Sequence, residues 1–313
     1  MQEPSSSTCF TGSGWTFADL TRSRRRARDP NAAPRAGDAA SYRVFAAIFD
    51  PFIARHHGAL EHPREHRWTH GRPQVDAHLG DDPALLSTWV TVRRNLRGVP
   101  FSPLIDRRTR LEVEARVVAA LDELRARFPG RYRSLASLDD DQRRALSEQG
   151  LGFSQADRRL VVAGITRDWP SGRGIWRGHD GRRALRVNAE DHVEVIAWEH
   201  GARLSACFCA ARELVAALEG SLGFHYDDRL GYLTSCPTKL GTGLRVSVVA
   251  RLPRLAAEPE QLDAWARELG LERRGSGELV ELSNRRRLGR SDLACVEEFG
   301  AAISELLAIE RSS

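Results

Sequence analysis

The sequence predicts an α+β protein in which an antiparallel β-sheet is flanked by helices. Segments with the composition of strands follow one another in hairpin-like succession, and amphipathic helices come between and after them. The chain has 313 residues, which is enough for one sizeable core and a smaller unit. No apolar run reaches membrane-spanning length, so we expect a soluble protein.

Three regions of the chain differ in composition. Residues 1–40 are rich in Ser, Arg, Ala, Pro and Gly, and we expect a mostly disordered basic tail with Trp15 as a candidate docking residue. Residues 41–82 are expected to form an abbreviated helical N-terminal region, because apolar residues recur there at helical spacing. Residues 83–313 then form the main domain. The regularly spaced apolar residues are Tyr42, Phe45, Ile48, Phe49 and Ile53.

The main domain alternates between strand and helix periodicity. Strands are predicted over 85–97 (ending in a basic turn), 160–166, 184–187, 193–198, 244–252 and 278–282. Helices are predicted over 111–128, 139–146, 206–218, 259–269 and 292–309. Ser137 and Asp140 mark the capped start of the second of these helices.

Charge and cysteine usage narrow the functional class. The net charge of +5 is carried by arginine, and the arginine run at 22–28 could attract nucleic acid or an acidic partner. No aromatic residues interleave with that run, so a solvated tail is favoured over base stacking. Five cysteines without metal-binding spacing, and an N-terminus without a secretory pattern, predict a reducing cytoplasm.

Six histidines lie between His56 and His78, which raises the hypothesis of a metal site. Their spacings are irregular, no cysteine joins them, and Pro63 and Pro73 give the segment a loop-like composition. A polar connecting loop is therefore favoured, and no metal site is predicted.

Residues 231–253 concentrate the groups that an anionic substrate requires. A thiol and three hydroxyls lie in Thr234-Ser235-Cys236-Pro237-Thr238, and Gly241-Thr242-Gly243 allows a close backbone approach or a positive φ. The guanidinium of Arg245 follows at the start of a β-branched strand. The alternative is a tight loop between two strands in which Cys236 is merely a buried small residue.

This stretch resembles the cysteine loop of the phosphagen (guanidino) kinases, the family of creatine kinase, arginine kinase and the bacterial protein-arginine kinase. The TSCPT form is most similar to the bacterial branch. Further matches follow in family order and cover the chain from about residue 45 to the C-terminus. They are Arg131-Tyr132, Asp168-Trp169-Pro170 with Arg173-Gly174-Ile175-Trp176, Asn188-Ala189-Glu190-Asp191-His192, Arg274-Gly275-Ser276-Gly277, and Leu282-Ser283-Asn284 with Arg287-Leu288-Gly289.

The resemblance implies transfer of the γ-phosphoryl group of Mg-ATP to a guanidinium, either of a free guanidino compound or of a protein arginine. It places Glu190 as the carboxylate that holds the acceptor guanidinium, since a carboxylate makes bidentate contacts to that group. Cys236 matches the active-site cysteine, and Thr238 could stabilise its thiolate. Arg245 and Arg274 match phosphate-binding arginines.

Other positions depart from the family pattern. Trp89 and Thr91 stand where the resemblance implies phosphate-binding arginines, and Glu194 replaces a third. Strand periodicity would place Glu190, His192 and Glu194 on one face, with Glu194 directed at the triphosphate. Arg93 and Arg177 are candidates for partial compensation. Further departures are Ala189 in place of a glutamate, Arg177 and Val249 in place of adenine-side histidines, and a short loop after Gly277.

Three functional interpretations follow. The first is an ATP:guanidino phosphotransferase with reduced activity, since each lost charge-assisted hydrogen bond weakens binding by about 1.5–3 kcal/mol. The second is a pseudokinase that binds a guanidinium ligand or a protein partner without phosphoryl transfer. The third and weakest is a nucleic-acid-associated factor that uses the arginine run at 22–28.

Overall fold

The computed structural model describes residues 10–27, 32–58, 73, 75 and 79–312. Among these residues, eight strands form one antiparallel sheet in the order β2-β3-β4-β5-β1-β8-β10-β9, and two short strands form a separate ribbon. The sheet strands are β1 Leu85–Arg94, β2 Gly130–Ser134, β3 Gly174–Gly178, β4 Arg183–Val187, β5 Val193–His200, β8 Leu244–Arg251, β9 Leu271–Arg274 and β10 Leu279–Asn284. The ribbon consists of β6 Tyr226–Asp227 and β7 Gly231–Tyr232. The predicted fold class is confirmed.

The helices of the described residues flank this sheet. They are α1 Phe17–Ala27, α2 Ser41–Val44, α3 Ala46–His57, α4 Arg107–Glu123, α5 Asp140–Glu148, α6 Arg158–Val162, α7 Leu204–Leu222, α8 Pro253–Ala257, α9 Pro259–Glu268 and α10 Asp292–Ser312. None of the helices in this part of the chain is long and apolar enough to cross a membrane.

The two faces of the sheet differ because successive strand residues point to opposite sides. On the central strand β1, Val90 and Val92 enter the main apolar core together with α7, which packs on β1 and β5. The alternate residues Trp89, Thr91 and Arg93 line a cleft on the opposite face. The fold therefore directs every second residue of the central strands into one open site.

Two of the local predictions are wrong. Residues 160–166 do not form a strand. Helix α6 covers the first part of that segment because the Asp157 side chain accepts a hydrogen bond from the Arg159 amide and caps the helix. The cap of α5 is Asp139 rather than Ser137, and it forms a reciprocal capping box with Gln142.

The expected disorder of the N-terminal segment is wrong for residues 10–27 and 32–40. Residues 17–27 form α1, and the Trp15 side chain is only 3% exposed. Its indole Nε1 donates a hydrogen bond to the Arg35 carbonyl at 3.1 Å. Trp15 belongs to a second apolar cluster that joins the N-terminal helices to the loops around β7. Its members include Leu20, Tyr42, Phe45, Phe49, Phe101, Leu230, Leu233 and Leu240.

Truncating Trp15 to alanine is expected to lower the free energy of unfolding by roughly 3–5 kcal/mol, because it removes a large buried ring from this cluster. Phe10 is the matched control, since it lies in the same segment but is 65% exposed. We expect Phe10→Ala to change the stability by about 0.5 kcal/mol or less. Equilibrium denaturation with urea measures both values, and equal losses for the two variants would show that Trp15 is not a docking residue.

Candidate active site

A cleft of about 1050 Å³ opens on the face of the sheet opposite α7. All ten site residues singled out in the sequence line it, although they come from five different strands and from the loops between them. They are Trp89, Thr91, Arg93, Arg177, Glu190, Glu194, Cys236, Thr238, Arg245 and Arg274. The structure thus brings the predicted residues together, and their roles remain predictions.

Glu190 is held between two cations of its own chain. Arg35 Nη1 donates to Glu190 Oε1, and Lys239 Nζ donates to Glu190 Oε2. Burial alone would raise the pKa of the Glu190 carboxyl, but Lys239, Arg35 and nearby Arg93 hold it well below its usual value. Both carboxylate oxygens of the predicted guanidinium holder are therefore already paired.

The loop that carries Glu190 connects β4 to β5 and is fixed by buried polar contacts. Asn188 adopts a positive φ of 53°, and its Nδ2 donates to the carbonyls of Arg110 and Gly172. Asp191 accepts from Asn95 Nδ2 at 2.7 Å and from the Ser235 amide at 2.9 Å. The Glu190 loop and the cysteine loop are thereby linked.

His192 does not point into the cleft. Its Nδ1 accepts the Leu96 amide at 3.1 Å, and the whole side chain is buried. The prediction that Glu190, His192 and Glu194 share one strand face is therefore wrong for His192. The reason is that β5 begins only at Val193, so strand periodicity does not extend back to residues 190–192.

The cysteine loop is positioned by the N-terminal region. The Tyr42 hydroxyl donates to the Thr234 carbonyl at 2.7 Å, and His57 Nε2 lies 2.9 Å from the Pro237 carbonyl. Cys236 is 4% exposed, and its Sγ lies 3.1 Å from Thr238 Oγ1. The predicted thiol–hydroxyl pair is therefore present at the wall of the cleft.

The glycine bracket after this loop serves chain packing. Gly241 and Gly243 have positive φ values of 90° and 64°. A Cβ atom would lie 2.3 Å from the Arg287 carbonyl oxygen at Gly241 and 2.7 Å from the Arg93 carbonyl oxygen at Gly243. The predicted close approach is thus made to neighbouring backbone.

Glu194 is neutralised by its neighbours on both sides. It lies opposite Arg93 on β1 and opposite Arg186 on β4, at distances of 3.0 and 2.6 Å. Burial would raise the pKa of the Glu194 carboxyl, but Arg186 and Arg93 lower it to about 2. The side chain is directed at the cleft as predicted, yet two of the cleft cations compensate its charge.

Trp89 and Thr91 occupy the cleft wall as neutral side chains. The Trp89 ring stacks on Trp198 of β5, with centroids 5.5 Å apart and an angle of 16° between the planes. Thr91 lies opposite Arg245 of β8. These two positions therefore contribute aromatic surface and a hydroxyl where the resemblance implies arginines.

Arg245 retains hydrogen-bonding capacity for a ligand. Its Nη1 pairs with Glu281 Oε1 at 2.9 Å, while its buried Nε and Nη2 have no hydrogen-bond partner among the described residues. Buried polar groups are nearly always satisfied in proteins, so an anion bound in the cleft is the natural partner.

The described lining of the cleft contains nine arginines and Lys239 against seven carboxylates. Such an excess of positive charge favours a polyanion.

Comparison with known proteins shows what this cleft belongs to. The model of the ATP:guanido phosphotransferase C-terminal catalytic domain matches residues 112–313, and that of the N-terminal domain matches residues 7–54. The chain is a member of the ATP:guanido phosphotransferase (phosphagen kinase) family. The family resemblance of the motifs is therefore confirmed, and the N-terminal match includes residues 7–40 of the segment for which disorder was expected.

Individual relatives of this phosphagen kinase chain support the assignment. It is 34% identical to an arginine kinase of Schistocerca americana, over 96% of this chain and 87% of the relative. Lombricine kinase, a solved structure, is 27% identical, covers 97% of this chain and 87% of its own, and has a TM-score of 0.81.

Two other relatives are more than twice as long as the matched region. An arginine kinase of Anthopleura japonica is 32% identical over 97% of this chain but only 44% of its own length. A substrate-free duplicated taurocyamine kinase from Schistosoma mansoni is 29% identical over 97% of this chain and 43% of its own, with a TM-score of 0.86.

Three site residues of this phosphagen kinase chain were missed from the sequence. Arg35 lies in a segment that was expected to be disordered. Arg186 can be recognised as a site residue only from the strand pairing that places it opposite Glu194. Lys239 had a usable signal, because it is the single lysine among the 47 Lys and Arg residues of the chain.

Of the clustered histidines, His62, His66, His70 and His78 lie outside the described residues.

Buried histidines should make the stability pH-dependent. Burial lowers the pKa of His57 and His192 to about 3 and that of His56 to about 4, whereas an unfolded imidazole titrates near 6.5. The unfolded chain therefore takes up protons first as the pH falls. The stabilisation is complete above pH ~6.5 and is lost progressively down to pH ~3, by roughly 2 kcal/mol per histidine at about pH 5.

Urea denaturation of wild type and His57→Gln at pH ~7.5 and ~5 checks this expectation. His57→Gln should shrink the difference in unfolding free energy between the two pH values by about 2 kcal/mol. Replacement of the exposed His200 by glutamine is the control for the loss of a surface histidine. An unchanged difference in His57→Gln would contradict the buried, neutral state of His57.

Proposed function

We propose that this chain is an ATP:guanidino phosphotransferase whose activity is reduced by the loss of nucleotide-binding arginines. The observation that carries the proposal is that Glu190, the Cys236–Thr238 pair and Arg245 line one cationic cleft. A phosphoryl transferase needs positioning and positive charge more than covalent chemistry, and the cleft offers both.

Each group has a defined task in this proposal. The unpartnered Nε and Nη2 of Arg245 bind phosphate oxygens of Mg-ATP, with Arg274 close by at the end of β9. Glu190 orients the acceptor guanidinium and favours loss of its proton. Cys236 lies beside the acceptor, with Thr238 as its hydrogen-bond partner. Arg93 and Arg186 contribute the positive charge that Glu194 does not cancel.

The same geometry supports a reduced rate. Trp89 and Thr91 supply no positive charge to the phosphates. Arg93 and Arg186 already donate hydrogen bonds to Glu194, which leaves fewer of their N–H groups for a phosphate. Only the four residues 275–278 connect β9 to β10, so little backbone is available to close over a bound nucleotide.

The described cysteines Cys207, Cys209, Cys236 and Cys295 are buried thiols, which agrees with a reducing, cytoplasmic compartment.

A pseudokinase is the second candidate, and one observation favours it. Both oxygens of Glu190 are paired with Arg35 and Lys239, so a guanidinium of another molecule must displace a buried cation before it can bind. A protein of this kind would bind a guanidino ligand or a partner protein in the cleft without transferring phosphate.

A transfer assay distinguishes the two candidates. Mg-ATP at millimolar concentration is offered with arginine, taurocyamine or lombricine, and both ADP and an acid-labile phosphoguanidine are measured. We expect slow formation of both products. Arg245→Ala should reduce kcat/KM for ATP roughly 10- to 100-fold, since it removes charge-assisted contacts. Arg251→Ala, an exposed arginine at the other end of the same strand, is the control. Saturable binding of ATP or a guanidine without any product would favour the pseudokinase.

A further inference from the structure

The guanidinium that Glu190 holds belongs to the chain itself. Arg35 Nη1 donates to Glu190 Oε1, and the Arg35 side chain lines the cleft with only 10% of its surface exposed. The resemblance assigns Glu190 to the acceptor guanidinium of the reaction. Arg35 therefore places a guanidinium of this chain at the position where an acceptor is expected.

The backbone around Arg35 is anchored on both sides. The Arg35 amide donates to the Leu20 carbonyl at 3.3 Å, and the Arg35 carbonyl accepts from the Trp15 indole at 3.1 Å. The next amide, that of Ala36, donates to the Ser235 carbonyl at 2.9 Å. This last bond joins the residue after Arg35 to the cysteine loop, so the segment that carries the guanidinium is fixed to the wall of the cleft.

The surroundings of Arg35 match those that an acceptor requires. Glu190 accepts a hydrogen bond from the Arg35 guanidinium, and Cys236 lines the same cleft. Arg93 lines this cleft as well, and its guanidinium pairs with Glu194. A phosphoryl group bound at Arg93 and Arg245 would therefore share one cleft with the guanidinium of Arg35.

We propose that Arg35 is an acceptor of this chain's own phosphoryl transfer, so that the N-terminal segment is phosphorylated in cis on a guanidinium nitrogen. This inference rests on the proposed phosphotransferase function and specifies its acceptor. The bond between the γ-phosphorus and the β–γ bridging oxygen of Mg-ATP breaks, and that oxygen leaves with Mg-ADP. A new phosphorus–nitrogen bond forms at Nη2 of Arg35, the terminal nitrogen that the contact to Glu190 does not use. One guanidinium proton is released through Glu190 to solvent.

The tether favours Arg35 over a free acceptor. A group held in place reacts without the loss of translational freedom that a bimolecular reaction requires, and such preorganisation corresponds to a high effective concentration. A free guanidino compound must instead displace a buried, paired guanidinium, which would weaken its binding roughly 100-fold or more.

Labelling of the intact chain tests the inference. The protein is incubated with Mg-ATP carrying a radioactive γ-phosphate, kept at neutral to alkaline pH, and mapped by electron-transfer mass spectrometry. We expect acid-labile phosphate, at most one per chain, on Arg35. The first-order rate constant should not change when the protein is diluted, because the reaction is intramolecular. Arg35→Lys keeps a cation beside Glu190 and should abolish the label, whereas Arg43→Lys on the exposed side of α2 should retain it.

The contrary outcomes are distinct. If wild type carries no phosphoarginine while Arg35→Lys phosphorylates added arginine faster than wild type, Arg35 is an inhibitory plug; the proposed function stands and this inference fails. Label on another arginine, or a rate constant that rises with protein concentration, also overturns it. If neither protein transfers phosphate to any acceptor, the proposed function itself fails. The phosphorylated residue is mapped on the wild-type protein, so this measurement tests the proposal even if Arg35→Lys does not fold.

Discussion

Replacing Glu190 by glutamine is expected to lower the free energy of unfolding by roughly 3–5 kcal/mol and to remove detectable phosphoryl transfer. The amide cannot neutralise Arg35 and Lys239, so two buried cations are left facing each other without a counter-charge. It also cannot accept a proton from an acceptor guanidinium. Urea denaturation measures the first effect, and the radioactive transfer assay measures the second.

The control for this variant is Glu199→Gln at the rim of the same cleft. Glu199 pairs with Arg182, whose side chain is 65% exposed, and surface pairs of this kind contribute about 1 kcal/mol or less. A Glu190→Gln protein as stable as Glu199→Gln would show that Glu190 is not the centre of a buried ion pair. Unchanged transfer would show that Glu190 does not hold the acceptor.

The double substitution Trp89→Arg with Thr91→Arg is expected to strengthen Mg-ATP binding by at least 10-fold and up to roughly 1000-fold. Both side chains line the cleft on the same face of β1 as Arg93, and Thr91 lies opposite Arg245. Each added charge-assisted hydrogen bond to a phosphate is worth about 1.5–3 kcal/mol, less the loss of the Trp89–Trp198 stack. Isothermal titration calorimetry gives the dissociation constants.

A neutral double substitution, Trp89→Phe with Thr91→Val, separates charge from shape at the same positions. It should leave the dissociation constant for Mg-ATP within about threefold of wild type, because no charge is added. If the arginine pair binds Mg-ATP no more tightly than this control, the nucleotide does not lie against β1. The explanation of reduced activity from the cleft lining would then be wrong.

Much of the fold could be predicted because its periodicity is local. The strands β4, β5, β8 and β10 were found within a few residues, since β-branched runs bounded by turns are a direct signature of buried strands. The segment at 160–166 has the same apolar composition but is helical at its start, because a capping contact from Asp157 decides it. Such a contact involves two atoms and leaves little trace in periodicity.

The residues of the candidate site were also only partly predictable from the sequence. Glu190, Cys236 and Arg245 were found because motifs record them residue by residue, and the cleft brings them together as expected. Arg35 and Arg186 could not be found, because they reach the site through the docking of a remote segment and through cross-strand register. The pairing of Glu194 with Arg93 and Arg186 could not be predicted for the same reason, since these residues are neighbours only in the folded sheet.

The most direct test of the account is a calorimetric titration of the intact wild-type chain with Mg-ATP. We expect saturable binding with a dissociation constant in the millimolar range, because Arg245 and its neighbours remain while positions 89 and 91 carry no cation. Arg245→Ala should weaken this binding roughly 10- to 100-fold. A micromolar dissociation constant, or an unchanged dissociation constant in Arg245→Ala, would contradict the claim that a depleted phosphagen kinase cleft holds the nucleotide.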